Sequence, residues 1–490
     1  MTGRVVCAFL LVIMAAGVLI ISNPTNQVVA GEPEKSAAQN LKIDLSKAVE
    51  VTLPQPKADL QPAAFKTSDG KAGWVVRIPG GRPIATPAYA DGMLFVGGGY
   101  GSHTFYAFDA ETGALRWKVN TSDDGPTAAV VEGGYVAFNT ESCTIIVVDE
   151  KTGKTIWQEW LGDPLMSQPA IYKGRLFIAY PAGPRSPKSS VPGSHRLLSV
   201  DLATGTHIWE AAMSGDVISA PVIDGDRVYV TCFDGTSYAF AFSNGNVIWK
   251  KENAGTSAPV VANDQLVVSQ KRKVGNKSYE GLVRSDARQG TQKDGELLTK
   301  KEAAYLENGK NGGVGLGASQ AAALDSSVGF GSAPQSAQLG KASQNVGVSN
   351  VVGGWAYQGS RAAVSKGQML NAQGKYLNSV AAADGKMAWQ AEVVGAGPNN
   401  DQQVFSPPAL GREYMYLSGT HGHLVSVRQR DGVPGFMYSL KQPMIFQPAL
   451  VNGNVYVGTA QGTLICLKTA SKDADGWYEW GGNAQHNKTF

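Results

Sequence analysis

The feature that most constrains this chain is a phrase it repeats: an apolar residue, then Asp-x-x-Thr-Gly-x-x-x-Trp. The phrase reads AFDAETGALRW up to Trp117, VVDEKTGKTIW up to Trp157 and SVDLATGTHIW up to Trp209. Each copy sits in a longer frame, clearest in SAPVIDGDRVYVTCFDGTSYAFAFSNGNVIW, residues 219–249. The short apolar run around Pro221–Ile223 reads as a strand, and Asp224-Gly225 as a turn pair. RVYVTCF alternates as a half-buried strand does. Asp234-Gly235 is a hairpin signal, TSYAFAF a third strand, Ser243-Asn244-Gly245 a turn and NVIWKK a fourth strand.

The frame recurs eight times, opened by Pro87, Pro126, Pro169, Pro221, Pro259, Pro408 and Pro448, with Ala362 in the equivalent place once. Units of this length with four antiparallel strands are propeller blades. One such sheet cannot bury both faces alone, whereas sheets stacked radially bury one another. The fold class expected is all-β, an eight-bladed β-propeller of four-stranded antiparallel blades. The recurring Trp117, Trp157, Trp209, Trp249 and Trp389, with Phe436 as a stand-in, then fill seams between blades. Burial of such a side chain is worth about 1.5–3 kcal/mol. A ligand platform needs one special place, not a regular series. Unit five keeps its turn at Gly290 but has no Trp. The last unit supplies three strands up to Thr469. The lone strand Trp74–Ile78 is therefore expected to pair beside Leu464–Leu467 and complete blade eight, removing open edges.

From about residue 74 onward, with one interruption, the chain resembles the PQQ-like (pyrroloquinoline quinone repeat) β-propeller family. The resemblance rests on Asp109–Trp117, Asp149–Trp157 and Asp201–Trp209 and on weaker copies. It implies the propeller fold. The family includes quinone-dependent dehydrogenases and also non-enzymatic members such as the outer-membrane assembly factor BamB, so fold does not decide function.

Departures from the repeat mark where function can sit. PAGPRSPKSSVPGSH, residues 181–195, lengthens blade three between its second and third strands. A longer insert follows blade five: a helix-like piece, GELLTKKEAAYLENG (295–309), then Gly/Ala/Ser/Gln-rich sequence to about Asn350. In an up-down blade these two connections leave by one face and the Thr-Gly turns by the other. The inserts read either as a partner-binding rim or as tolerated insertions. Arg185, Lys188, His195, Trp355, Tyr357 and Arg361 are the candidate partner-binding residues. Trp355, Tyr357 and Arg361 serve equally well to pack the end of the insert.

A quinone enzyme requires an anionic cofactor held beside a divalent cation with an acidic base. The dehydrogenases of the family carry adjacent cysteines; here Cys7, Cys143, Cys232 and Cys466 are far apart, and no Asp-x-Asp-x-Asp-Gly loop occurs. No catalytic, cofactor or metal residue is assigned, and PQQ with calcium stays as the alternative. His421-Gly422-His423 has the spacing of two ligands, but aligns with a hairpin turn and is expected to leave both histidines exposed. Asp109, Asp149 and Asp201 are expected to cap turns. Trp477 and Trp480 in the C-terminal tail are expected to cover the closure seam.

The net charge of +3 gives no argument for nucleic acid. Arg4 precedes VVCAFLLVIMAAGVLIIS, residues 5–22, with small residues at 28–30 beyond it. This pattern reads as a cleaved signal peptide or an uncleaved anchor, and either exports the rest. The organisation expected is signal or anchor at 1–30, extended linker at 31–73 and propeller at 74–490, with a low-complexity insert at 297–350. The function expected is a non-catalytic scaffold at the cell envelope, in the periplasm or on a membrane surface. Its partners would be envelope proteins or peptides, with membrane association through residues 5–22. The alternative is a quinone-dependent dehydrogenase.

Overall fold

The computed structural model describes residues 39–490 except 100, 124, 141–142, 163–166, 183–190, 194, 218, 303–361 and 398–402. The described strands form eight sheets, five of four strands and three of five. Blade four illustrates the rest: Val222–Asp224, Arg227–Thr231, Ser237–Ala241 and Val247–Lys251 pair in chain order, antiparallel throughout. Alternation in its second strand is what stacks the blades. Val228 and Val230 enter one apolar cluster with Phe177 and Leu197 of blade three. Tyr229, between them, enters another with Leu266 and Val268 of blade five. Both faces of the sheet are buried, each by a neighbour.

The repeated phrase explains itself in three dimensions. Asp149 Oδ1 accepts the Thr152 N–H at 2.9 Å and the Thr152 hydroxyl at 2.7 Å, closing the turn. The same pair of bonds recurs at Asp109–Thr112 and Asp201–Thr204. The Thr152 bonds hold the Asp149 carboxyl below its ordinary range. The following Gly adopts positive φ, +73° at Gly113 and +69° at Gly153. It is also the floor on which the preceding blade's indole rests. A Cβ on Gly153 would meet the Trp117 ring at 2.6 Å, and one on Gly245 would meet Trp209 at 2.4 Å. Each indole N–H then donates to a carbonyl of the next blade: Trp117 to Glu150 at 3.0 Å, Trp157 to Leu202 at 2.8 Å and Trp209 to Phe242 at 2.9 Å. Trp249 does so to Ala287 at 3.0 Å and Trp389 to Gln429 at 2.8 Å.

Ala72–Arg77 pairs antiparallel with Thr463–Lys468, placing Val76 opposite Leu464 and Trp74 opposite Cys466. Trp74 in turn donates to Ala110 O of blade one at 3.3 Å, and its ring covers Gly113. Unit five, without a Trp, uses an ion pair. Arg284 donates to Asp294 from Nη2 at 2.7 Å, with both side chains under 10% exposed, and from Nη1 to Ala382 O of blade six at 2.8 Å. The guanidinium occupies the place of the indole over Gly385.

Two features differ from the sequence expectation. The segment 39–66, read as linker, lies along outer blade edges. Gln39–Asp44 pairs parallel with Met387–Val394, Val49–Glu50 parallel with Pro434–Ser439, and Ala63–Lys66 antiparallel with Ala72–Arg77. Ile43 and Leu45 are buried there. The described part of the helix-like piece, 295–302, is not helical: it runs through a bend at 295–296 and a turn at 298–299 into the strand Lys301–Glu302 beside Lys277–Asp286. Leu297 and Leu298 pack into different cores where the chain turns, and Gly281 leaves room for Leu297. Residues 303–309 lie outside the described residues.

Candidate functional site

The two long connections leave blade ends of the same kind. One joins Arg175–Pro181 to His195–Asp201, the second and third strands of blade three. The other joins Lys301–Glu302, a fourth strand, to Ala363–Ser365, the first strand of blade six. Both therefore start on the face opposite the Thr-Gly turns. Of the candidate partner-binding residues, Arg185, Lys188, Trp355, Tyr357 and Arg361 lie outside the described residues. His195 is described, and it is 6% exposed. Its Nε2 lies 3.5 Å from Asp216 Oδ1, and burial pushes the Asp216 carboxyl up while His195 opposes this. His195 thus supports the root of the connection from inside the wall. Nearby, burial also pushes the Cys232 thiol up, so it is held as the neutral thiol.

The histidine pair of blade seven corrects the expectation of exposure. His423 opens the strand His423–Arg428 and is 6% exposed. His421 sits in the turn, its Nδ1 2.6 Å from Gln403 Oε1. Burial lowers the pKa of both rings. The turn register is as expected, but the segment that leads into the blade, through Gln403, folds over it. Among the described residues no group of three or more His, Cys, Asp or Glu side chains is placed to share a metal ion. Cys143, Cys232 and Cys466 lie in three separate apolar clusters.

The opposite face carries an arrangement that sequence reasoning missed. The C-terminal tail follows the ring and bonds to the innermost strand region of one blade after another, from blade seven round to blade six. Asp473 accepts from Glu413 N at 2.6 Å and Tyr416 Oη at 2.7 Å in blade seven. Trp477 O accepts from Leu450 N of blade eight, and Tyr478 O from Tyr89 N of blade one. Glu479 accepts a backbone bond from Val131 of blade two. Ala484 O and Gln485 O accept from Ile171 N of blade three and Ile223 N of blade four. Asn487 brackets Val261 of blade five with bonds of 2.8 and 3.0 Å, and Phe490 exchanges bonds with Val364 and Lys366 of blade six. His486 is fully buried with Nε2 2.9 Å from Pro169 O. The placement of Trp480 corrects the closure-seam expectation. It packs with Ala220, Val222 and Ala258 of blades four and five, away from the seam of blades eight and one. Trp477 stays with blade eight at Leu450. The run Gly-Trp-Tyr-Glu-Trp-Gly-Gly (476–482) was the available signal: aromatics too dense for an exposed tail.

Eight radially stacked sheets, sealed by indoles over Thr-Gly turns, define a PQQ-repeat β-propeller. The family model described as outer membrane protein assembly factor BamB matches residues 60–183, 141–308 and 347–476, and the chain belongs to that family. The chain is similar to the outer membrane protein assembly factor BamB of Nitrosomonas eutropha, 24% identical over 195 residues, 36% of this chain and 44% of that protein. It is also similar to the tetrathionate hydrolase of Acidithiobacillus ferrooxidans, 25% identical over 230 residues, 42% of this chain and 45% of that protein. The chain thus spans less than half the length of these curated relatives. The quinohemoprotein alcohol dehydrogenase of Comamonas testosteroni shares the fold, with TM-score 0.51 at 12% identity over 85% of this chain and 78% of that one.

Proposed function

We propose that this protein is a non-catalytic, exported β-propeller that acts as a protein-interaction scaffold at the cell envelope. Residues 5–22 would direct export and, if retained, tether it to a membrane. The observation that carries the reading is the tail. It occupies the turn-side mouth of the channel and bonds to every blade, so the accessible rim is the one from which both long connections depart. A rigid ring presenting long loops on one side suits recognition of envelope proteins or peptides. The BamB relatives support an envelope role.

The test is affinity capture from envelope extracts with the full chain and with a variant lacking 303–350. That deletion spares Leu297 and the strand at 301–302. A defined set of partners on the full chain, lost from the deletion variant, is the expected result. Identical capture by both, or stoichiometric uptake of pyrroloquinoline quinone with calcium, would overturn the proposal.

A further inference from the structure

The tail creates a pocket where it passes blades eight, one and two. Its volume is about 530 Å³, and its walls include Tyr89, Asp91, Glu132, Tyr478, Glu479 and Gln485. Three of the lining residues are carboxylates and none is basic. Glu479 is 5% exposed, and its Oε2 has no hydrogen-bond partner. A buried carboxylate oxygen left unsatisfied is costly and points to a donor that binds there. Glu132 uses Oε1 to accept from Gly174 N at 2.7 Å, which fixes its carboxylate at the wall. Tyr89 and Tyr478 form a tilted ring pair with centroids 5.8 Å apart at the same site, and Tyr478 is 40% exposed.

Carboxylates beside aromatic faces match an organic cation better than a metal ion. The acidic groups accept its N–H groups, Glu479 giving up the proton that burial holds on it as the cation arrives, and the ring faces attract its charge. A metal would require several oxygens converging on one point, and no such group occurs among the described residues. We propose that this pocket binds an alkylammonium or guanidinium group, with Glu479 and Asp91 as acceptors and Tyr478 as the aromatic wall. The site lies on the face opposite the long connections and is independent of the scaffold reading. The group can arrive on a free polyamine or on the basic side chain of a peptide.

Calorimetric titration of the full chain distinguishes these sources, using spermidine as one probe and a blocked Gly-Lys-Gly peptide as the other. Saturable one-to-one binding of spermidine, or of the peptide alone, supports the site and identifies the source. Glu479→Gln and Tyr478→Leu should each weaken the binding probe about tenfold or more. Asp91→Asn, which keeps a side chain tolerant of the positive φ of 44°, is the variant least able to disturb the fold. Absence of binding by both probes, binding of calcium in their place, or unchanged affinity in all three variants would overturn the proposal.

Discussion

Replacing Gly245 by Ala tests the logic of the repeated phrase. Gly245 has φ +73°, and a Cβ there would lie 2.4 Å from Trp209 Cε3. Gly174 is a matched control, with φ +70° and nothing within 4 Å of a Cβ. At both positions a left-handed backbone costs an Ala about 1–2 kcal/mol. At Gly245 the added methyl must also displace an indole that is 8% exposed and anchored to Phe242 O at 2.9 Å. Overpacking of that kind costs about 1–3 kcal/mol more. Urea unfolding followed by tryptophan fluorescence and circular dichroism measures the difference as a larger fall in midpoint for Gly245→Ala than for Gly174→Ala. Trp209→Leu in the Gly245→Ala background should cancel the excess, since the two groups in contact couple. Equal losses for the two Gly variants, or no coupling to Trp209, would refute the claim that this glycine exists to seat the neighbouring blade's indole.

Two further expectations concern buried charge. Burial pushes the Glu479 carboxyl well above 4.5, with Glu132 adding to the effect. The folded state therefore keeps a proton that the unfolded state releases, and stability falls as pH rises from the unfolded pKa through the folded one. Glu479→Gln should accordingly raise the thermal midpoint at about pH 8 and leave it unchanged at about pH 4; an equal gain at both would contradict the assignment. Arg284→Ala leaves Asp294 buried without its partner and should cost about 3–5 kcal/mol, given side-chain exposures of 9% and 7%. Arg288→Ala, breaking an ion pair exposed at 65% and 61%, should leave the midpoint in place. Equal effects in a thermal scan would show that the guanidinium does not substitute for the missing indole.

The legible part of this protein is local chemistry repeated. Asp149 bonds to a Thr three residues away, Gly153 needs positive φ whatever surrounds it, and alternating strands such as Arg227–Thr231 have one backbone solution. These depend on neighbours in the chain, so copies of them in register disclose blades and their number. Even the partnership of Trp74 with the last blade follows, because a three-stranded remnant leaves an edge that some strand must cover.

The illegible part is what meets across distance. Arg284 takes an indole's place only because Asp294 neutralises it inside the wall, and neither residue is remarkable in sequence. Leu297 and Leu298 are compatible with helix until two cores on opposite sides of a sheet claim them separately. His423 is buried because the segment through Gln403 folds over its turn. The segment 39–66 becomes edge strands because the outer strands of blades six to eight offer unpaired backbone groups. Sequence alone determined the repeating unit, since its bonds close within a few residues. Only tertiary structure decided that the tail runs round the ring to all eight blades and builds an acidic pocket against three of them. That outcome depends on backbone groups hundreds of residues apart reaching hydrogen-bonding distance at once.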